Sequence, residues 1–332
     1  MNQPLYPLTR RGLLGAGAAG ALYAIGMPAH AQSDFPSRPV RIIVPYSAGT
    51  GSDALARTVA QGITEKTGKP VVVENREGGG SLIGTMAVAK APADGYTILI
   101  AANPMVIVPA AQSQPQYIPT KDFVPVAKVG VIPLVLAVTP GLNIRNVRDF
   151  IAYAKANPGK LSYGSSGAGT SSQQEMENFK QAVGIDIPEV PYKSTAQAMT
   201  DLIGGTLTVF PVVVPLVSQH IQSGKAVGVA VFDTRRSQLL PDIPAVTEQV
   251  NVPGYVPTPV WYGFVAPAGT PAPIVNQLSS MINASMDTDA AKARMVALGA
   301  QRITVSNEQF ANDLKVEYEK AGALAKRLGT YK

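Results

Sequence analysis

The chain has 332 residues, 46% of them hydrophobic and 15% charged, a length that predicts about two domains with substantial cores and excludes disorder as the default. It contains no cysteine, which excludes thiol catalysis, disulfide staples and cysteine–zinc sites. The net charge of +6 is spread along the chain with no block of Lys or Arg, so a nucleic-acid partner is not expected.

Arg10 and Arg11 precede an apolar, uncharged run from Gly12 to Gly26. Pro28 breaks any helix there, and Ala29-His30-Ala31 gives the small-x-small pattern of a signal-peptidase site. Residues 1–31 therefore read as a signal peptide cleaved after Ala31, on a Sec or a twin-arginine route, which predicts a periplasmic protein. The run is too short to span a bilayer, which takes about 20 residues. Cleavage removes Arg10 and Arg11 and no acid, so the net charge falls from +6 to +4.

The mature chain alternates strands and helices. Val40–Val44 is a β-branched run stopped by Pro45. From Ser52 to Thr67, Leu55, Val59 and Ile63 recur at helical spacing, and Gly68 ends that helix. A strand over Val71–Val73, a helix over Ile83–Lys90 and a strand over Thr97–Ile100 follow. This β-α-β-α-β order predicts a parallel sheet covered by helices. Val135–Val138 opens a second unit, continued by a helix over Val147–Ala156, a strand over Leu161–Tyr163 and a helix ending at Val183. Thr208–Phe210 and Val227–Phe232 are further strands. The proline-rich stretch Pro241–Pro259 returns to the first unit, where Trp261–Ala266 is a strand and the remaining chain is helical. The expected fold class is α/β with two domains, each a mainly parallel sheet flanked by helices. Domain 1 is residues 32–133 plus 258–332, and domain 2 is residues 134–257.

Motifs for chemistry are sparse. Gly15-Ala16-Gly17-Ala18-Ala19-Gly20 matches a dinucleotide fingerprint in pattern, but it sits inside the export signal with no strand before it. Gly164–Thr170 resembles a phosphate loop but lacks the lysine, so no nucleotide cofactor is expected. His220 is the one histidine of the mature chain, and no G-x-S-x-G accompanies it, which leaves a serine hydrolase only a remote alternative. No metal site and no cofactor is expected.

Two loops stand out. Tyr46-Ser47-Ala48-Gly49-Thr50-Gly51-Ser52-Asp53 and Ser165-Ser166-Gly167-Ala168-Gly169-Thr170-Ser171 each join a strand to a helix. Each combines glycines with hydroxyl donors at a helix N-terminus, an anion-binding arrangement that needs no Lys or Arg. Ligands of open α/β sheets sit at the carboxyl ends of strands, where both loops would lie. The bland reading is helix capping by Ser52 or Ser171. Asp53 could touch a ligand, face the helix dipole, or shape its loop.

Several segments together carry a family resemblance. These are Val44-Pro45-Tyr46 with Gly49 and Asp53-x-x-Ala56-Arg57; Val73-Glu74-Asn75-Arg76 before Gly79-Gly80-x-x-Ile83-Gly84; and Ala93-Asp94-Gly95-Tyr96-Thr97. Asn157-Pro158-Gly159-Lys160-Leu161, Val190-Pro191-Tyr192-Lys193 and Ala266-Pro267-Ala268-Gly269-Thr270-Pro271 complete the set. In this order they resemble the substrate-binding proteins of tripartite tricarboxylate transporters, the Bug family. The resemblance implies a periplasmic Venus-flytrap receptor that catalyses nothing, binds a small carboxylate between its domains and delivers it to a membrane permease. A sensor kinase is the alternative partner, and a monomer is expected. The family pattern implies binding roles for Tyr46, Ser47, Gly49, Asp53, Ser165, Ser166, Gly169 and Thr170. Thr50 shares the first loop, and cleft walls are expected from Asn103, Tyr192, Lys193, Ser194 and the stretch after Thr208 that includes Val212. The chain departs from the family at Gln173, where a histidine is common, and at Thr208 and the Phe210–Val214 stretch, where two acids are frequent. The loss of both acids predicts a ligand without an amine, such as an aromatic or branched carboxylic acid.

Overall fold

The computed structural model describes residues 35–167 and 169–331, so the export signal over residues 1–31 lies outside the described residues. The first lobe begins with β1 (Val40–Val44), which is β-branched apart from Arg41 and buried at every position except that one. α1 (Gly51–Thr67) follows, with Leu55, Val59 and Ile63 buried along one stripe, and it stops at left-handed Gly68. Next come β2 (Val71–Asn75), α2 (Leu82–Ala89), β3 (Thr97–Ala102), α3 (Pro104–Ala110), α4 (Pro119–Asp122) and β4 (Phe123–Ile132). After Pro133 the second lobe holds β5 (Leu134–Val138), α5 (Val147–Ala156), β6 (Tyr163–Ser165), α6 (Ser171–Val183), β7 (Glu189–Pro191), α7 (Thr195–Gly204), β8 (Val209–Val213), α8 (Val214–Gln222), β9 (Val227–Phe232) and α9 (Val246–Gln249). The chain then returns to the first lobe as β10 (Val260–Pro267), α10 (Ala272–Met286), α11 (Asp289–Ala297), β11 (Gln301–Arg302) and α12 (Asn307–Arg327).

Two sheets result, ordered β11-β4-β10-β3-β1-β2 and β7-β6-β8-β5-β9. Both are mixed, which corrects the expectation of mainly parallel sheets. β10 runs antiparallel to β3 and β4, and β5 runs antiparallel to β8 and β9. The physical reason is connectivity. β5 is the first strand after the chain crosses into the second sheet, and β10 the first after it crosses back. Each enters its sheet from the side facing the other lobe, against strands that end on that side.

Helices cover both faces of the second sheet, as the alternation of β5 dictates. Leu134, Leu136 and Val138 pack with Phe150, Phe179 and Phe232. Val135 and Ala137 face the opposite way, against Met199, Leu202 and Phe210. In the first lobe Ile43, Leu99, Trp261, Val265, Phe310 and Leu314 form one core. α10 packs on α1 and α12 on α3, so the C-terminal helices complete this lobe.

Sequence patterning missed α3, α7 and α8. Pro104 and Pro215 both sit in a first helical turn, where proline's missing N–H has no partner to lose. Thr50 and Thr170 occupy the N-cap positions of α1 and α6, two residues before Ser52 and one before Ser171, the serines expected there.

Candidate functional site

The two glycine–hydroxyl loops are copies of one backbone arrangement. Gly49 and Gly169 take positive φ angles of 82° and 78°, which a side chain would strain. The Gly49 N–H donates to Asp53 Oδ2 at 3.0 Å, and the Gly169 N–H donates to Gln173 Oε1 at 2.9 Å. Thr50 Oγ1 donates to the Ser47 carbonyl at 3.0 Å, and Thr170 Oγ1 to the Gly167 carbonyl at 2.7 Å. Each loop is tied from behind by side chains of neighbouring strands. Asn75 on β2 donates to Asp53 Oδ1 and to the Tyr46 carbonyl, and Arg57 donates to Asp53 Oδ2. Burial pushes the Asp53 carboxyl up, but the bonds from Arg57, Gly49 and Asn75 together hold it below the ordinary carboxylate value. In the second loop Glu189 on β7 accepts from Gln173 Nε2 at 2.9 Å and from the Ser165 hydroxyl.

Both loops open onto a cleft of about 360 Å³ between the sheets. Five helices begin at its wall. Gly51 starts α1, Pro104 α3, Ser171 α6 and Thr195 α7, and Val213 immediately precedes α8. Positive dipole ends therefore converge on one space, and α1, α6 and α7 bring free first-turn N–H groups with them. α3 opens on Pro104, and in α8 the Val214 N–H donates to the Pro133 carbonyl and Pro215 has none. Hydroxyls of Tyr46, Thr50, Ser52, Ser166, Thr170, Ser171, Ser172, Thr195 and Tyr262 belong to lining residues. The opposite wall is apolar, built from Leu134, Phe210, Pro211, Val212, Val213, Leu216 and Val260. Among the described residues, no charged side chain lines this cleft. Tyr46 lines the cleft, but its hydroxyl is buried near Ser81, and burial raises its pKa against that neighbour.

Of the residues expected from sequence, Tyr46, Thr50, Ser166, Gly169, Thr170 and Val212 line the cleft. Gly49, Asp53 and Ser165 shape the loops from behind, and the Ser47 hydroxyl donates outward to Glu77. Asn103 faces away. Its Nδ2 donates to buried Glu317 at 2.8 Å, and its Oδ1 accepts from the Trp261 N–H at 3.0 Å. The Tyr192 hydroxyl donates to Asp201 at 2.9 Å, and Lys193 and Ser194 are exposed outside the cleft. Sequence reasoning missed Tyr262, Thr195, Leu134 and Val260. Ser52 and Ser172 were legible, since each follows a Gly-Thr pair by the same spacing.

A family model described as "Tripartite tricarboxylate transporter family receptor" matches residues 55–330. The chain belongs to that family. The receptor is 32% identical to BugT of Bordetella pertussis over 311 residues, which cover 93% of this chain and 94% of BugT. It resembles the solved periplasmic binding protein BugD at 32% identity and a TM-score of 0.67, covering 90% of this chain and all of that one. It resembles the R. palustris protein Rpa4515, solved with adipate, at 32% identity and a TM-score of 0.67, covering 88% of this chain and 99% of that one. The fold is the two-domain binding-protein fold, and the family is one of solute receptors rather than enzymes.

Thr208, expected on the cleft wall as the site of a lost acid, is instead tied to Ser162. Thr208 lies just before β8, at the end of that strand far from the cleft. Its hydroxyl donates to the Ser162 carbonyl at 2.8 Å and accepts from the Ser162 N–H at 2.7 Å. An acid there would face strand pairing, not ligand. The Phe210–Val213 stretch, by contrast, does form cleft wall. His220 sits in the last turn of α8, whereas the first turn of that helix is the one at the cleft. No helix of the described residues is long and apolar enough to cross a membrane.

Proposed function

We propose that the receptor is exported to the periplasm, where it captures a small carboxylate lacking an amine in the cleft between its lobes and hands it to the permease of a tripartite transporter. The observation that carries this reading is the convergence of five helix N-termini and a ring of hydroxyls on a cleft without charged side chains. A carboxylate matches such donors, while an ammonium group would find no acid to pair with. The apolar wall around Val212 suits an aliphatic or aromatic body. That a 32% identical relative is solved with adipate, a carboxylate without an amine, supports the same chemistry.

Magnitudes favour a closing mechanism. One helix end contributes about 0.3–1 kcal/mol to a nearby anion. Micromolar affinity needs about 8 kcal/mol. Helix ends alone fall short, so direct charge-assisted bonds, each contributing about 1.5–3 kcal/mol, must come from both loops at once. Closure brings the second loop onto a ligand already held by the first, and the permease then recognises the closed form.

The test is a calorimetric and thermal-shift panel on protein stripped of bound ligand. Adipate, succinate, phenylacetate and branched monocarboxylates are compared with glutamate and aspartate. The amine-free acids are expected to give the large stabilisations. Greatest stabilisation by glutamate or aspartate would falsify the amine-free assignment.

A further inference from the structure

A groove of about 540 Å³ runs between α6 of the second lobe and α12 of the first, with residues 253–256 of the return crossing as its third wall. It shares no residue with the ligand cleft. On α12, Lys320, Ala323, Leu324 and Arg327 line it at i, i+3, i+4 and i+7, so one face of that helix reads cation, apolar, cation. The two cationic positions are about 10.5 Å apart along the helix axis. From the other side α6 supplies the side-chain amides of Asn178 and Gln181, while Tyr255 and Val256 add apolar wall. Among the described residues, no acid lines the groove.

The acids near it are already engaged. Glu177 lies 3.7 Å from Arg327 but also holds Lys180 at 2.6 Å, so one carboxylate faces two cations and positive charge is left over. Arg327 donates to Gln181 Oε1 and to the Glu177 carbonyl, which leaves donors of the guanidinium fork to spare. Lys320 forms no salt bridge among the described residues. Glu175, whose charge it feels, is buried and bonded to Tyr255 and Thr258. Lys320 also borders a smaller pocket that contains Asp313 and Glu317, but Lys128 holds Asp313 at 2.7 Å, and Asn103 and Trp261 hold Glu317. The walls of the groove therefore leave positive charge at both ends of an apolar strip.

We propose that this groove is a second binding site, for a dicarboxylate with an apolar spacer. The planar fork of Arg327 holds one carboxylate and the Lys320 ammonium the other, while the spacer lies over Ala323 and Leu324. The amides of Asn178 and Gln181 donate from α6, so the occupant touches both lobes. A monocarboxylate satisfies one cation only, and phosphate is too compact to reach both. An amino acid is disfavoured because its ammonium would sit beside like charge. The site does not depend on the carboxylate reading of the cleft.

The probe is suberate, titrated at low ionic strength into nitrogen-15-labelled full-length mature protein, since half-exposed charges are screened by salt. The side-chain amides of Asn178 and Gln181 are expected to shift saturably. Lys320→Gln and Arg327→Gln are each expected to weaken suberate at least fivefold, and Lys320→Arg to retain it. Octanoate, of the same chain length with one carboxylate, and inorganic phosphate are each expected to bind at least tenfold more weakly than suberate. The amide shifts should also survive Val212→Asp, which places a repelling acid in the cleft. Dispersed spectra certify that the variants fold. Amides that stay still, undiminished binding to either glutamine variant, or loss of the shifts in Val212→Asp overturns the site. Octanoate or phosphate binding as tightly as suberate overturns the dicarboxylate assignment. If suberate and adipate leave the cleft untouched while both amides still shift, the carboxylate reading of the cleft fails and the groove stands.

Discussion

Of the two glycines on the cleft wall, Gly51 has less room than Gly169. A Cβ built on it would lie 2.9 Å from the Tyr262 hydroxyl. Alanine suits a helix better than glycine, by about 1 kcal/mol, so Gly51→Ala is expected to leave the melting temperature nearly unchanged. It should still weaken the preferred carboxylate about tenfold by displacing Tyr262, as calorimetry would read. Val212→Asp tests the apolar wall directly. An acid placed there repels a carboxylate, and at least tenfold weaker adipate binding is expected. Undiminished affinity would move the ligand away from β8.

Glu317 behaves differently, since it acts behind the cleft. Burial pushes its carboxyl up to about 7, against the bonds from Asn103 and Trp261 and the nearby charge of Lys128. The folded-state pKa therefore lies above the ordinary value of 4.5. The stability this group contributes is present in full below pH 4.5 and is lost as pH rises through 7, a difference of about 3 kcal/mol. Denaturant unfolding at pH 5 and pH 8 should show that loss in the wild type and a smaller one in Glu317→Gln. Equal pH dependence in the two proteins would show that Glu317 does not titrate in this range.

Secondary elements divide the work between holding the fold and presenting donors, and the two matched loops separate these roles. Thr50 Oγ1 accepts from the Asp53 N–H and so caps α1, whereas Thr170 makes no cap bond to α6. Thr50→Val is therefore expected to cost about 1 kcal/mol of stability, and Thr170→Val less, in urea melts. Both should weaken the ligand severalfold. These loops were legible in sequence because a helix start after a strand, glycines and hydroxyls are all local signals. Elements whose signals conflict were not legible: α8 opens on Val214-Pro215-Leu216, apolar and proline-marked, and reads as the continuation of a strand. The placement of Asn103 was also hidden. Its partners Trp261 and Glu317 are far along the chain, and no local pattern announces a long-range bond.

Over the whole molecule, two chain crossings set how the lobes face each other. Glu175 on α6 accepts from the Tyr255 hydroxyl and from Thr258 N and Oγ1, gripping the return crossing from the second lobe. Burial raises its pKa, while the three bonds it accepts favour the ionised form. Arg327 on α12 reaches across to Gln181 and Glu177 on α6, a half-exposed tie whose removal should change stability by less than about 1 kcal/mol. Saturating adipate is expected to lower the radius of gyration in small-angle scattering, and a constant radius would contradict closure on ligand.

By itself the sequence determined the class of fold, the family and the two donor loops, because periodicity, turn chemistry and ordered motifs are properties of short segments. Tertiary structure decided which donors face one space. It turned Asn103 inward, sent Thr208 to the far end of β8 and brought Tyr262 from the return crossing to the cleft. Those outcomes depend on strand order and on partners far apart in the chain. The reversal of β5 and β10 belongs to the same level, since a strand's direction follows from where the chain enters the sheet rather than from the residues that make it a strand.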